Sequence, residues 1–321
     1  MIDTGQHPFG IYKRKAPWKS APDGPIVLNR IQPSPKRERK LGYYMTIKVC
    51  IAGATGWVGQ ALVKEILGSN QFALAGAISR SAAGQDIGTC LGLQPAGVIV
   101  SKSLGDALSQ PTDVVVDYTS PGSVKERTLK ALGCGVRVVI GTSGLTASDY
   151  SEIDETARKN SMGVIAAGNF SITAALAKRF ALVAVRYLPS WEIIDYANAD
   201  KMDAPSGTTR ELAEELASAA RNRIEIPIAE THGSPESRGA TIAGTQIHSI
   251  RLPSFVIAFE TLFGLPNERL TIRHDAGPGA MPYVAGTMLA IEKVMTTNGL
   301  IRGLDRLLFD NHAGWGDLSQ P

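Results

Sequence analysis

The chain has 321 residues, 44% hydrophobic and 20% charged, with a formal net charge of +3. At ~150 residues per domain there is room for about two globular domains with proper cores. So small a charge makes no case for a nucleic-acid partner, and no run reaches the ~18 apolar residues of a membrane-spanning helix.

Residues 1–44 carry nine Lys/Arg against three acids, a local charge of +6, and the remainder sums to −3. Six prolines in that segment forbid a regular helix or a central strand. It has no apolar stretch of the secretory type. The expectation is a disordered extension, or translation read from a start upstream of Met45. The alternative is a basic arm for a partner, or an organelle transit peptide. Cys50, Cys90 and Cys134 are scattered, with no CxxC pair beside them. That argues against a disulfide framework or a metal centre, and for a reducing, cytoplasmic setting.

Regular patterning begins at Met45. Ile47–Ala52 reads as a buried strand, Gly53-Ala-Thr55-Gly56-Trp57-Val58-Gly59 as a glycine-rich turn, and Gln60–Leu67 as a helix. Strand, turn and helix in this order are the context of a dinucleotide fingerprint, here spaced GxxGxxG with Thr55 in the middle. Gly53 allows the sharp turn, Gly56 the approach of backbone N–H groups to a pyrophosphate, and Gly59 close helix packing. The helix N-terminus adds free N–H donors and positive dipole. Phe72–Ile78 reads as the second strand, followed by Ser79-Arg80-Ser81 where a reader of the ribose 2′-OH would be Asp or Glu. Without that carboxylate, and with the Arg80 fork, NADPH is expected in preference to NADH.

The α/β rhythm continues. Strands are predicted over Asp113–Tyr118, Arg137–Ile140 and Met162–Ala166, with helices over Val124–Leu132 and Asp149–Lys159. This pattern predicts a parallel, doubly wound sheet of the Rossmann type, with ligands off the carboxyl ends of its strands. Tyr118, Thr119, Gly141, Thr142, Ser143, Asn169 and Phe170 fall at such ends, where the nicotinamide half of the cofactor would lie.

A further strand, Trp191–Tyr196, precedes Lys201-Met-Asp-Ala-Pro-Ser206-Gly207-Thr208, and a helical pattern follows. Thr208 and Glu211 have the spacing of a capping box. Ser206, Gly207 and Thr208 thus lie at a helix start suited to a carboxylate, with the Lys201 ammonium on the preceding loop.

The segment Lys201–Thr208 strongly resembles the KxDAPSGT motif of the dihydrodipicolinate reductase family. Residues 139–144, 168–171, 248–253 and 270–275 resemble other segments of that family, in order, over about residues 47–309. The resemblance implies a Rossmann domain over 45–170 that is rejoined by 276–321. It also implies a mixed-sheet α+β substrate and oligomerisation domain over 171–275, and a homotetramer. It implies reduction of a cyclic, dicarboxylated imine-type substrate with NAD(P)H. Lys201 takes the place of the catalytic lysine, and Gly207 and Thr208 that of the carboxylate clamp. Ser143, Asn198 and Ser206 join them as substrate contacts.

The departures are specific. The family has EAHHRHK where this chain has Asp195-Tyr196-Ala197-Asn198-Ala-Asp200-Lys201. Ala197 stands at the general acid/base histidine and Asn198 at a substrate-contacting histidine. Ser143 replaces a threonine, and the arginine usual after His274 is missing. A positioned acid is worth ~10²–10⁴-fold in rate, so a related but different substrate is expected. The proton could come from Lys201, Tyr196, Asp200, His232, His248 or His274. Two other functions stay open: an NADP-dependent amino-acid or diamine dehydrogenase, and a non-catalytic nucleotide-binding subunit.

Overall fold

The computed structural model describes residues 46–309. The basic arm, residues 1–44, lies outside the described residues, and so do the expectations placed on it. The first part of the described chain runs β1 (Ile47–Ala52), α1 (Trp57–Leu67), β2 (Phe72–Ile78), α2 (Ile87–Cys90), β3 (Val100–Ser101) and α3 (Leu104–Ala107). It continues with β4 (Val114–Asp117), α4 (Pro121–Gly133), β5 (Arg137–Ile140), α5 (Ala147–Lys159) and β6 (Gly163–Ala166). Next come α6 (Ile172–Ala184), β7 (Ser190–Ala197), α7 (Gly207–Ala219), β8 (Ala240–Ile242), β9 (Thr245–Arg251), β10 (Ile257–Leu265) and β11 (Glu268–Ala276). Helix α8 (Met281–Val294), β12 (Gly299–Arg302) and α9 (Leu304–Leu308) complete it.

Seven strands form one parallel sheet in the order β12-β6-β5-β4-β1-β2-β3. Strand side chains alternate between faces, so β1 feeds two cores. Val49 and Ile51 pack with Leu62, Ile66 and Ile291 of α1 and α8. Cys50 and Ala52 pack with Val124, Leu132 and Ile153 of α4 and α5. Both sheet faces are therefore covered by helices, the Rossmann-type doubly wound arrangement that the sequence predicts. The chain winds outward from β1 in one direction and from β4 in the other, so β1 and β4 flank the switch point where ligands bind.

The second sheet has the order β11-β10-β7-β9-β8 and is mixed, with β7 and β9 parallel and the other pairs antiparallel. Trp191 and Ile193 of β7 join Phe259, Phe263, Ala181, Leu212 and Leu216 in a third core under α6 and α7. Strand β12 returns the chain to the first sheet, beside β6. Among the described residues no helix is long and apolar enough to cross a membrane.

Candidate active site

The loop after β1 is shaped by two close approaches. Gly53 has φ +85°, and a Cβ there would lie 2.2 Å from the carbonyl oxygen of Tyr118. A Cβ on Gly59 would lie 2.0 Å from the carbonyl oxygen of Gly53, so the helix can reach the loop only with glycine at this position. Helix α1 begins at an N-cap, Gly56, without a side-chain cap, and its first turn holds no acid. Its leading N–H groups are thus left for an anion. Trp57 is half exposed at this turn, edge-on to Tyr283 with ring centroids 5.5 Å apart. Val58 packs against the core beneath.

The end of β2 is built from hydroxyls. Thr55 Oγ1 lies 2.7 Å from Ser79 Oγ, which lies 3.2 Å from Ser81 Oγ. Arg80 between them is exposed. These groups, with the open turn of α1, offer donors suited to a nicotinamide nucleotide.

At the carboxyl ends of β4 and β5 the side chains are tied to one another. Asp117 is buried and accepts from Thr119 Oγ1 at 2.6 Å, Thr142 Oγ1 at 2.9 Å and Arg127 Nε at 2.5 Å. Tyr118 turns inward, its hydroxyl 2.7 Å from Thr287 Oγ1, and burial pushes that phenol above its ordinary pKa. Its ring covers Gly141 and meets Phe170 edge-on at 6.1 Å. The rings of Tyr118 and Phe170 are therefore wall material. Asp117 and Arg127 were not among the residues the sequence singled out.

The Lys201–Thr208 loop is held from β7. Buried Asp195 accepts from Ser206 N–H at 2.9 Å, Ser206 Oγ at 2.6 Å and Arg251 Nη2 at 2.7 Å. Arg251 Nη2 also donates to the Asp203 carbonyl at 2.7 Å. The helix start differs from the expected capping box. Ser206 is the N-cap and accepts from Thr209 N–H at 3.4 Å, while Glu211 turns away to Lys178 and Gly168. A buried carboxylate finds a stronger partner in an ammonium than in a backbone N–H. Ser206, expected as a substrate contact, thus has both its N–H and its hydroxyl engaged with Asp195.

Gly207 and Thr208 form the first turn of α7, and Thr208 Oγ1 donates to the carbonyl of Gly168 at 3.2 Å. A cleft of about 470 Å³ is bordered by Thr142, Ser143, Gly168, Asp203, Gly207 and Arg210. It brings the ends of β5 and β6 against α7. Lys201 Nζ lies 2.5 Å from Asp203 Oδ1, and Asn198 is exposed one turn earlier. Asn169 accepts from Ser171 N–H at 2.8 Å and shapes the turn into α6.

Strand alternation sorts the remaining proton sources. Tyr196 faces away from Asp195, its hydroxyl donating to Glu260 at 3.0 Å beneath Arg273. His248 is 2.7 Å from Glu192 on that same outer face. His232 and Asp200 are exposed. His274 is buried at the start of α6, its Nε2 3.3 Å from Ser171 Oγ and 3.1 Å from Thr173 Oγ1. Ala197 is fully buried at the end of β7 and has no proton to give. Among the described residues no group of three or more His, Cys, Asp or Glu could hold a metal ion.

Two family models match the chain: "Dihydrodipicolinate reductase, N-terminus" over residues 47–170 and "Dihydrodipicolinate reductase, C-terminus" over residues 170–308. The 4-hydroxy-tetrahydrodipicolinate reductase of Synechococcus elongatus is 39% identical over 270 residues, covering 82% of this chain and 98% of the relative. That of Moorella thermoacetica is 38% identical over 264 residues, with the same coverages of 82% and 98%. A dipicolinate-bound dihydrodipicolinate reductase from Paenisporosarcina sp. superposes with a TM-score of 0.65 at 32% identity, covering 82% of this chain and 99% of that one. An amine dehydrogenase from Mycobacterium smegmatis shares the fold, with a TM-score of 0.59 at 16% identity, covering 82% and 96%. Models that together span nearly every described residue, and relatives at this identity along their whole length, place the chain in the dihydrodipicolinate reductase family.

Proposed function

We propose that this oxidoreductase reduces 4-hydroxy-tetrahydrodipicolinate, or a closely related cyclic dicarboxylated imine, with NADPH in preference to NADH. One observation carries the reading: the first turn of α7 and Asp203, the ion-pair partner of Lys201, border one cleft with the residues that follow β5 and β6, where a Rossmann fold presents nicotinamide. The cofactor, when bound, supplies hydride.

The protein's own residues do the rest. The N–H groups of Gly207 and Thr208, at the positive end of a 13-residue helix, suit one carboxylate of the substrate. Ser143, beside Gly207 in the cleft, and exposed Asn198 are the further hydrogen-bonding groups of this reading. Lys201 holds a second negative group and is the proton donor of this reading, with Asp203 fixing its ammonium. An iminium substrate arrives already activated, so the missing histidine at Ala197 costs less there than with a neutral imine. Arg80, Ser79, Ser81 and Thr55 favour a 2′-phosphate because no carboxylate stands at the end of β2. A homotetramer is the assembly in keeping with the family resemblance.

NADPH oxidation by the purified protein with freshly generated 4-hydroxy-tetrahydrodipicolinate tests this directly, beside a cofactor titration. Turnover with a substrate KM in the micromolar to millimolar range common among enzymes supports it. Tight NADPH binding with no turnover overturns the substrate assignment and directs a screen of other cyclic imines.

A further inference from the structure

Gly168 follows β6 and precedes Asn169 and Phe170, at the proposed nicotinamide end. Both of its backbone groups are taken by helix α7. Its N–H donates to Glu211 Oε2 at 2.8 Å, and its carbonyl accepts from Thr208 Oγ1 at 3.2 Å. A Cβ at residue 168 would lie 2.9 Å from Glu211 Oε2 and 3.1 Å from the Gly207 carbonyl, so the contact depends on glycine. Glu211 is itself held in place. Lys178 of α6 donates to Glu211 Oε1 at 2.7 Å and to Glu215 Oε1 at 3.0 Å, and lies 2.7 Å from Asp305 Oδ1 of α9. The four side chains are buried or nearly so, at 2–17% exposure. Three carboxylates thus surround one ammonium, and the group ties α6, α7 and α9 together.

The arrangement is costly as a mere brace. Buried charges bear a desolvation penalty that hydrophobic packing would avoid. Glu215 shows the cost: burial, with Glu211 and Asp305 adding to it, raises its pKa despite the opposing pull of Lys178. What the group does provide is a fixed orientation for Glu211, whose outer oxygen reaches the cofactor-side loop. A cavity of about 20 Å³, room for about one water, lies between Asn169, Thr208, Lys178 and Glu211.

We propose that Glu211 is a positioning residue that clips the Gly168–Asn169 loop to the first turn of α7, so that cofactor and substrate carboxylate bind cooperatively. This rests on the site reading of the preceding subsection. A cofactor that orders the loop also orders the N–H groups of Gly207 and Thr208 through the clip. The reverse must hold to the same extent, because coupling between two sites is reciprocal.

The test is a titration of pyridine-2,6-dicarboxylate by calorimetry, with and without saturating NADPH, on the full chain and on E211A and E211Q. In the wild type NADPH should tighten the dicarboxylate by about 10-fold, within the usual span of such couplings. In E211A that factor should fall below about 2-fold, with the dicarboxylate Kd in the absence of NADPH little changed. E211Q should give an intermediate factor, since its single amide oxygen can accept from Gly168 N–H or from Lys178 but not from both. A purely structural role would lower stability without abolishing the ratio. E211A removes one of three carboxylates facing a single ammonium, so it relieves repulsion and the fold should hold. An undiminished factor in E211A, or a wild-type factor of one, overturns the proposal while leaving the substrate reading intact. If the wild type binds no dicarboxylate, the substrate reading fails. Hydrogen exchange at residues 206–212 upon NADPH addition then decides the clip: protection in the wild type that E211A loses supports it, and any other pattern overturns it.

Discussion

Arg127 reaches back one turn and a half along α4 to Asp117, Nε to Oδ2 at 2.5 Å, and closes a buried network at the mouth of the cofactor crevice. Asp117 is 1% exposed and Arg127 17%, so neither charge is solvated well enough to stand alone. Removing one partner of such a pair costs on the order of 3–5 kcal/mol, because the other is left buried and uncompensated. R127M should therefore lower the unfolding free energy by roughly 3 kcal/mol in a urea titration. The double variant D117N/R127M should recover part of that loss. A single variant as stable as the wild type would show the network to be idle.

Gly59 should tolerate no side chain. G59A puts a methyl group where the Gly53 carbonyl now lies, 2.0 Å away, so helix and loop must separate. Overpacking of about 1–3 kcal/mol translates to roughly 5- to 150-fold weaker NADPH binding, taking one factor of ten per 1.4 kcal/mol. Cofactor titration by quenching of the half-exposed Trp57 beside this loop measures it. Unchanged affinity would remove the glycine-rich turn from the binding site.

Arg80 should set the choice between cofactors. R80A removes a charged hydrogen bond worth about 1.5–3 kcal/mol, so the KM for NADPH should rise roughly 10- to 100-fold. NADH carries no 2′-phosphate, so its kcat/KM should move by less than about 3-fold. Parallel loss with both cofactors would show that Arg80 has another task.

Lys201 should carry the proton transfer. K201A should lower kcat by about 10²–10⁴-fold and leave the NADPH Kd unchanged, because no cofactor contact is proposed for this side chain. Undiminished turnover would take the lysine out of the mechanism and point to the substrate's own iminium state.

His274 should make the protein acid-sensitive. Burial lowers its pKa below the ordinary 6.5, with Asp275 opposing the effect. Around the ring are Ser171, Thr173 and Phe259, and its Nδ1 is buried without a partner among the described residues. The unfolded chain therefore takes up a proton at higher pH than the folded one. The stability contributed by neutral His274 is complete above pH 6.5 and is lost as pH falls through and below it, by at most about 1.4 kcal/mol per pH unit. Urea midpoints between pH 7 and 5 should fall more steeply in the wild type than in H274Q. Equal slopes would assign the acid sensitivity elsewhere.

Much of this protein was legible in its residues. The strands Ile47–Ala52, Phe72–Ile78 and Arg137–Ile140 form with the bounds the pattern predicts, because short, largely apolar runs between turns have few other ways to be buried. The glycine spacing marked the tight turn before α1, and the Pro-Ser-Gly-Thr run marked the start of α7. Both signals are local, since caps and tight turns are satisfied within a few residues. The helix Ile172–Ala184 carried only the Ser171 cap, which accepts from Ala174 N–H. Its alanine-rich surface is buried against the second sheet on one side and against α8 and α9 on another, so it shows no clear polar stripe. The charged groups of the site's frame lay beyond sequence reading for a different reason. Asp195 meets Arg251 across 56 positions, and Lys178 meets Asp305 across more than a hundred. No spacing rule pairs residues so far apart. Only the packing of β7, β9, α6, α7 and α9 brings these charges within reach, and burial then leaves them no charged partners but those the fold supplies.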